Sequence, residues 1–120
     1  MDEIKIPTPE EIHKNAVDHG WWEDDRSFPE IIALCHSELS EALEEYRNRH
    51  GANDIYYKYT TDRNKTSLTG KPEGIPIELA DCIIRIFDYC GKEGIDIFNA
   101  IMVKHKYNKT RPYRHGGKKC

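Results

Sequence analysis

The sequence of 120 residues lacks a long apolar run and a continuous apolar segment near its start. No apolar stretch approaches the roughly 18 residues that a membrane-spanning helix needs, so a membrane span is excluded. The first 14 residues, MDEIKIPTPEEIHK, are acidic and have no apolar core, which predicts no secretory signal. We therefore expect a cytoplasmic protein with one domain, spanning 1–120.

The cysteines lack the C-x-x-C spacing that would indicate a redox or zinc site. They are Cys35, Cys82, Cys90 and Cys120. Two of them lie within apolar helical patterns, so we expect buried free thiols in a reducing compartment rather than disulfides. Cys35 and His36 predict no zinc site, because no matched pair elsewhere completes one.

Acidic residues are absent from the last part of the chain. The formal net charge is −3, but residues 97–120 contain seven of the 18 basic residues and no acid, so the first 96 residues carry a formal charge of −10. An acidic body suits metal cations and a basic tail suits phosphates. A solvated tail that only aids solubility is the alternative.

Four helices are predicted from apolar periodicity and capping residues. Their expected spans are about Thr8–His19, Ser27–His50, Pro76–Lys92 and Asp96–Lys109. The apolar stripe of the second helix is expected at Ile32, Cys35, Leu39, Ala42, Leu43 and Tyr46. Residues of the fourth helix that are expected to face the bundle are Phe98, Ile101, Met102 and His105.

The second and third helices are joined by a polar connection of about 24 residues, GANDIYYKYTTDRNKTSLTGKPEG. Its IYYKYTT segment has strand propensity, but nothing in it is long enough to predict a sheet. A connection of this length suggests a functional lid, an oligomer contact or disorder. The prediction is an all-α fold: a four-helix bundle with a long connection at about 51–75 and a basic tail at about 104–120.

The third helix is unusual because its apolar segment ELADCIIRIFD, at 78–88, contains four charged residues at i, i+3, i+7 and i+10. They are Glu78, Asp81, Arg85 and Asp88. This spacing forms one narrow stripe on an otherwise apolar circumference, which predicts a helix buried nearly all round with a charged seam inside. Buried carboxylates need an ionic partner or a metal ion.

The second helix supplies a matching acidic face. Glu38, Glu41 and Glu45 lie at i, i+3 and i+7 beside the apolar stripe. Glu38 and Glu41 form an E-x-x-E pair, and Glu78 and Asp81 form an E-x-x-D pair; each pair lies on adjacent turns of one helix face. If the two helices pack antiparallel, four carboxylates converge. Oxygen-only ligands select a hard cation such as Mg²⁺ or Mn²⁺.

Other interpretations of these acids stay open at this point. They can be solvated residues of helix faces, or Asp81 or Asp88 can pair with Arg85 inside the protein. A di-iron or di-manganese oxidase is disfavoured, because the i+3 positions hold Glu41 and Asp81 where such sites usually have histidine. A non-catalytic interaction module, in which the acids and the basic tail pair between subunits, is the further alternative.

The two acidic pairs, followed by KHKYNKTRPYRHGGK, resemble the MazG-like nucleoside triphosphate pyrophosphohydrolases of the all-α NTP pyrophosphatase superfamily. The similarity extends from GWWEDDRSF to the C-terminus. Where many members have two adjacent acids at the start of the first motif, this chain has Ser37 and Glu38. The positions that match the family's metal ligands are Glu38, Glu41, Glu78 and Asp81.

The resemblance implies Mg²⁺-dependent hydrolysis of a nucleoside triphosphate between the α and β phosphates, which yields a monophosphate and pyrophosphate. Glu41 or Glu45 would accept the proton of the attacking water. The rest of the sequence offers no convincing serine or cysteine nucleophile with a matching base.

Phosphate and base contacts are expected from the basic tail and from one tryptophan. The expected substrate-binding residues are Trp22, Lys104, Tyr107, Asn108, Arg111, Arg114, His115 and Lys118. The tail interleaves aromatic with basic residues, as in nucleic-acid binding, but the acidic body would repel a long polyanion, so a mononucleotide is favoured. A third helix that is apolar nearly all round also predicts a homodimer or tetramer, with the site near the subunit interface.

Overall fold

In the computed structural model, the described residues are 5–61 and 68–113, and they form four helices and one β-hairpin. The elements are α1 (Pro9–Asp18), α2 (Phe28–Arg47), β1 (Tyr56–Thr61), β2 (Leu68–Glu73), α3 (Ile75–Glu93) and α4 (Ile97–Thr110). The four predicted helices are confirmed to within a few residues at their ends. Among the described helices, none is both long and apolar enough to span a bilayer.

The capping residues predicted for three helices are confirmed. Thr8 Oγ1 accepts a hydrogen bond of 3.1 Å from the backbone amide three residues later. Ser27 and Glu30 form a reciprocal capping box at the start of α2. At α4, the Asp96 carboxylate accepts a hydrogen bond of 3.0 Å from the Asn99 amide. These acceptors satisfy amides that have no partner inside their helix, so they fix where each helix begins.

The prediction that the connection contains no sheet is wrong. β1 and β2 pair antiparallel in a register that places Tyr56 opposite Glu73. Aromatic and β-branched residues give β1 its strand propensity, and pairing with β2 satisfies the backbone groups on the side that faces β2. Gly74 follows the hairpin with φ of 126°, and a Cβ there would overlap the carbonyl oxygen of Asp54. Glycine is therefore required at the junction between the hairpin and α3.

α3 lies at the centre of the fold and packs against both α1 and α2. The core between α2 and α3 contains Ile31, Cys35 and Cys82, with Trp22 and Tyr89 partly buried against it. This core holds α2 and α3 side by side, which determines how their acidic faces meet.

The prediction of buried free thiols is confirmed for Cys35, Cys82 and Cys90. Cys120 lies outside the described residues. Burial raises the pKa of the Cys35 and Cys90 thiols above the ordinary value, so both are protonated at neutral pH. Protonated buried thiols pack as small apolar groups.

α1 is attached to α3 by a buried polar network around Asp88, which is 5% exposed. Trp22 Nε1 donates to both carboxylate oxygens of Asp88, at 2.9 and 3.0 Å, and His13 Nδ1 lies 2.8 Å from Asp88 Oδ1. Gly91 lets the two helices approach closely, because a Cβ there would overlap the Pro9 carbonyl oxygen and the His13 side chain. The network and the glycine together fix the position of α1.

Burial on α2 and α3 differs from the prediction. α3 is not buried nearly all round in a single chain: Leu79, Ile83, Ile84 and Ile86 are between 38% and 52% exposed. The buried residues of α2 are Ile31, Cys35, Glu38 and Ala42, whereas Ile32, Leu39, Leu43 and Tyr46 are exposed. Both helices have apolar residues on more than one face, so periodicity alone did not identify the face that packs.

α4 has no buried residue. Phe98 contacts Phe87 edge to face, with 5.5 Å between the ring centroids, yet it is 50% exposed. Ile101 and Met102 are 54% and 70% exposed. Within a single chain, the prediction that the apolar residues of α4 face the bundle is therefore met in part by Phe98 and is wrong for Ile101 and Met102.

Candidate metal and phosphate site

Acidic residues from α2, α3 and β2 surround a cavity of about 390 Å³, which we call the acidic cavity. Its lining residues are Glu38, Glu41, Glu44, Glu45, Lys71, Pro72, Glu73, Glu78 and Asp81. All four predicted metal ligands and both candidate bases line it. They meet because α2 and α3 pack antiparallel: Phe28 contacts Tyr89 at one end, and Glu45 lies near Glu78 at the other.

Three of the predicted ligands lie close enough to share one cation. One carboxylate oxygen from each of Glu38, Glu41 and Glu78 lies within 4.8 Å of the others. Oxygens bound to Mg²⁺ at about 2.0–2.1 Å are at most about 4.2 Å apart, so a small side-chain adjustment suffices for coordination. Asp81 lines the same cavity but is outside this group of three.

Burial and mutual repulsion disfavour ionisation of the acids on α3. Glu78 is 6% exposed, and burial together with the neighbouring Glu41 raises the pKa of Glu78 to about 7. Burial and the nearby Glu38 carboxylate also raise the pKa of Asp81. A cation that binds such carboxylates displaces their protons and removes the repulsion. The donor set therefore fits Mg²⁺ or Mn²⁺.

Arg85 binds one of the predicted ligands. Its Nε donates a hydrogen bond of 2.7 Å to Glu38 Oε1, and its guanidinium lies 5.0 Å from the Trp21 ring centroid. Asp81 and Asp88 were the candidate ion-pair partners of Arg85 from sequence, whereas the ion pair that Arg85 forms among the described residues is with Glu38. This pair leaves the second carboxylate oxygen of Glu38 for a cation.

Tyr56 of β1 fixes the carboxylate of Glu45. Its hydroxyl lies 2.8 Å from Glu45 Oε1 and 2.9 Å from Oε2, and donation to this carboxylate raises the pKa of Tyr56 to about 12. The His50 ring stacks on Tyr56 with 4.6 Å between centroids, and His50 Nε2 lies 3.6 Å from Glu45 Oε2. A second group of three carboxylates, Glu45, Glu73 and Glu78, also has oxygens within 4.8 Å of one another.

Two residues of β2 at the site were missed by the sequence analysis. Glu73 is 9% exposed, and Lys71 Nζ lies 3.4 Å from Glu73 Oε1, a pairing that raises the pKa of Lys71. Their segment, GKPEG, has the glycine and proline content of a loop, which concealed the strand. The strand propensity of YYKYTT could have indicated the second strand, because a strand needs a partner and GKPEG lies in the same connection.

A larger, mostly apolar cavity of about 840 Å³ adjoins the acidic cavity, and the two share Glu38 and Asp81. Trp21 lines this apolar cavity. Trp22, the residue predicted to contact the base, does not line it, and the Trp22 indole instead donates a hydrogen bond to Asp88. A base bound beside the acidic cavity would therefore meet Trp21. The role assigned to Trp22 stays a prediction.

The predicted phosphate-binding residues of α4 line neither of these two cavities. Lys104 Nζ and the Arg111 guanidinium lie 4.9 and 5.7 Å from the ring centroid of Tyr107. Asn108 lies on the exposed surface of the same helix. Three further predicted residues, Arg114, His115 and Lys118, lie outside the described residues. Within one chain, the basic residues of α4 are thus separate from the acids.

Comparison with known proteins does not assign the chain to a family: no protein-family model, no curated protein and no solved structure matches it. The resemblance to MazG-like enzymes therefore depends on the motifs themselves.

Proposed function

We propose that the protein is a Mg²⁺-dependent nucleoside triphosphate pyrophosphohydrolase, with Mn²⁺ as a possible substitute. The observation that carries the proposal is the convergence of Glu38, Glu41 and Glu78 on one small volume, with Asp81 on the same wall. Oxygen-only sites of this kind hold hard cations, and nucleoside triphosphates reach enzymes as magnesium complexes. The E-x-x-E and E-x-x-D spacing of these residues is also the pattern that resembles the MazG-like family.

The four carboxylates would hold the cation, and Arg85 would orient Glu38 through its hydrogen bond of 2.7 Å. When bound, Mg²⁺ neutralises phosphate oxygens and lowers the pKa of water. The burial of Glu38 and Glu78, each 6% exposed, excludes bulk water from the carboxylates, which strengthens their attraction for the cation.

The reaction adds one water to the α-phosphorus and breaks its bond to the bridging oxygen, so that pyrophosphate leaves. A general base is needed because the attacking water loses a proton. Glu45 is held by the Tyr56 hydroxyl at 2.8 Å, and Glu41 is exposed at the surface of the acidic cavity. We propose Glu45 as the base, because a carboxylate of fixed orientation is better placed to accept that proton.

Self-association belongs to the same proposal. The exposed apolar residues of α2 and α3 include Leu39, Leu43, Ile83 and Ile84, and apolar residues exposed on two adjacent helices favour an interface. A second copy packed there would cover this surface. It would also allow Lys104 and Arg111 of one copy to approach the acids of the other, which they do not reach within one chain.

The experiment that tests the function is pyrophosphate release from a panel of canonical and modified nucleoside triphosphates, with Mg²⁺ and with excess chelator. We expect equal amounts of monophosphate and pyrophosphate from at least one nucleotide, and none with chelator. Release of inorganic phosphate and a diphosphate instead would show attack at the γ-phosphorus and contradict the proposal. No cleavage of any nucleotide would favour the non-catalytic interaction module.

The di-metal oxidase is disfavoured by the composition of the site. No histidine lines the acidic cavity among the described residues, whereas carboxylate-bridged iron sites pair glutamate with histidine. His50 lies beside Glu45, but its ring is stacked on Tyr56. After loading with iron or manganese and exposure to air, we expect no visible absorption from an oxidised di-metal centre.

A further inference from the structure

The hairpin presents two lysines on the face that meets the acidic cavity. Lys58 of β1 pairs directly with Lys71 of β2, and the neighbouring pair on the same face is Tyr56 with Glu73. Residues directly opposite each other in an antiparallel pair project from the same face, as do residues two positions apart along one strand. That face reaches α2 through the Tyr56–Glu45 hydrogen bond and lines the acidic cavity through Lys71 and Glu73.

Two opposed lysines repel each other, because like charges directly opposite in a sheet are destabilising. Glu73 offsets the charge of Lys71 at 3.4 Å, but Lys58 forms no ion pair among the described residues. The Lys71 side chain is 76% exposed and can reorient when an anion arrives. Lys58 is thus left without an ionic partner among the described residues, and an anion bound between the two lysines would supply one.

The position of the pair fits a polyphosphate bound to the acidic cavity. Same-face neighbours along a strand are about 7 Å apart, so the lysine pair lies that far beyond the Tyr56–Glu73 pair along the hairpin. A phosphate chain held at one end by a cation on the carboxylates would extend past Glu73 toward the lysines. The basic residues of α4 do not line this cavity, so within one chain the hairpin provides the described lysine nearest to the acids.

We propose that Lys58 and Lys71 form a polyphosphate-binding pair, and that the hairpin holds the outer phosphates of the substrate against the acidic cavity. The identity of the substrate as a nucleoside triphosphate rests on the proposed function, but the anion site is defined without it. The hairpin is then a substrate-binding element of the chain, rather than a connection between helices.

The experiment measures binding of inorganic tripolyphosphate at fixed free Mg²⁺ by titration calorimetry, with wild type, Lys58→Gln, Lys71→Gln and the double variant. Each single substitution is expected to weaken binding by about tenfold, since each removes one charge-assisted contact from an exposed site. Lys14→Gln is the matched control, because Lys14 is 77% exposed and also pairs with a carboxylate, Asp18, at 2.7 Å. The control is expected to bind within twofold of wild type, and all variants are expected to melt close to wild type.

Pyrophosphate release on the same proteins separates this inference from the proposed function. A raised KM with kcat retained in the lysine variants supports both. If wild type cleaves nucleotides and the lysine variants match it in KM and in tripolyphosphate affinity, the lysine pair is overturned and the function stands. If wild type cleaves nothing but binds tripolyphosphate through the lysines, the function is overturned and the anion site stands. Failure of wild type to bind tripolyphosphate overturns the lysine pair.

Discussion

At the scale of single residues, Glu78 is the group whose ionisation the fold alters most clearly. Its pKa is raised from an ordinary 4.5 to about 7, so between these values the folded state holds a proton that the unfolded state has lost. The free energy of unfolding of the metal-free protein is therefore expected to fall as pH rises from about 5 to 8. Mg²⁺ competes with this proton, so we expect it to raise the melting temperature more at pH 8 than at pH 5.5.

Thermal melts at several pH values, with chelator and with millimolar Mg²⁺, measure both effects. Glu78→Gln is the control, because glutamine cannot ionise, and it is expected to remove this part of the pH dependence together with most of the Mg²⁺ effect. A wild-type response to Mg²⁺ that is the same at pH 5.5 and pH 8 would contradict the account.

Asp88 is expected to matter for stability rather than for catalysis. Asp88→Ala removes a buried acceptor: Trp22 Nε1, at 2.9 Å in the wild type, loses its partner, and the contact to His13 is lost as well. Hydrogen bonds to a charged group each contribute about 1.5–3 kcal/mol, so chemical denaturation would detect the loss. Asp18→Ala, at an exposed ion pair, is the control and is expected to cost much less than Asp88→Ala, because solvent screens the pair. Equal effects of the two substitutions would show that the network does not hold α1.

The residues of the E-x-x-E and E-x-x-D pairs could be identified from sequence because i, i+3 spacing fixes two side chains on one helix face. The ion-pair partner of Arg85 could not be identified from sequence. Asp81 and Asp88 share the helix of Arg85 and satisfy the local spacing, but the pairing with Glu38 depends on how α2 lies against α3. Likewise, sequence alone does not show that Trp21 lines the apolar cavity, whereas Trp22 donates its hydrogen bond to Asp88.

At the scale of elements, the contact between α1 and α3 depends on a glycine. Gly91→Ala would place a methyl group against the Pro9 carbonyl oxygen, so α1 would have to move, at a cost of about 1–3 kcal/mol. Gly94→Asn is the control: Gly94 has open space around it, and asparagine tolerates its positive φ of 69°, so we expect less than about 1 kcal/mol. Denaturant titration of both variants checks this, and a neutral Gly91→Ala would show that the helices are not in close contact.

Helix positions were predictable because Thr8, Ser27 and Asp96 are local signals that act within one turn. The hairpin was not, since its second strand contains Gly70 and Pro72 and is identified only by pairing with β1. Strand pairing depends on residues far apart in the sequence. Residue propensity alone therefore indicated β1 but not its partner β2. The same limit applies to Glu73, which reaches the acidic cavity only because β2 leads directly into α3.

At the scale of the whole molecule, the exposed apolar surface predicts self-association. Analytical ultracentrifugation is expected to show a dimer or larger species for this chain of 14.0 kDa. Ile83→Asp, at a residue 52% exposed on α3, is expected to shift the distribution toward monomer, because it places a charge in the apolar face. Val17→Asp, at a residue 47% exposed on α1, is the control and is expected to leave the distribution unchanged. A wild type that sediments as a monomer at micromolar concentration would contradict the proposed assembly.

The apolar sequence of α3 correctly indicated that the helix is buried on part of its surface, but it overestimated how much of that surface one chain buries. Within one chain, α1 and α2 cover two sides of α3 and leave Ile83 and Ile84 exposed. An amino-acid sequence indicates which helix faces are apolar, but it does not indicate whether the same chain or a second copy covers them. The four helices were therefore predictable from sequence, whereas the extent to which a single chain buries α3 was not.

The most direct test of the central claim compares pyrophosphate release by wild type, Glu41→Gln, Asp81→Asn and Glu10→Gln with Mg²⁺ and the best nucleotide of the panel. Glu10, an exposed acid in the first turn of α1, is the control. We expect Glu41→Gln and Asp81→Asn each to lose about 100-fold or more in kcat/KM, together with the Mg²⁺-dependent rise in melting temperature, while Glu10→Gln keeps both. If Glu41→Gln and Asp81→Asn cleave the nucleotide as wild type does, the acidic cavity is not the catalytic site.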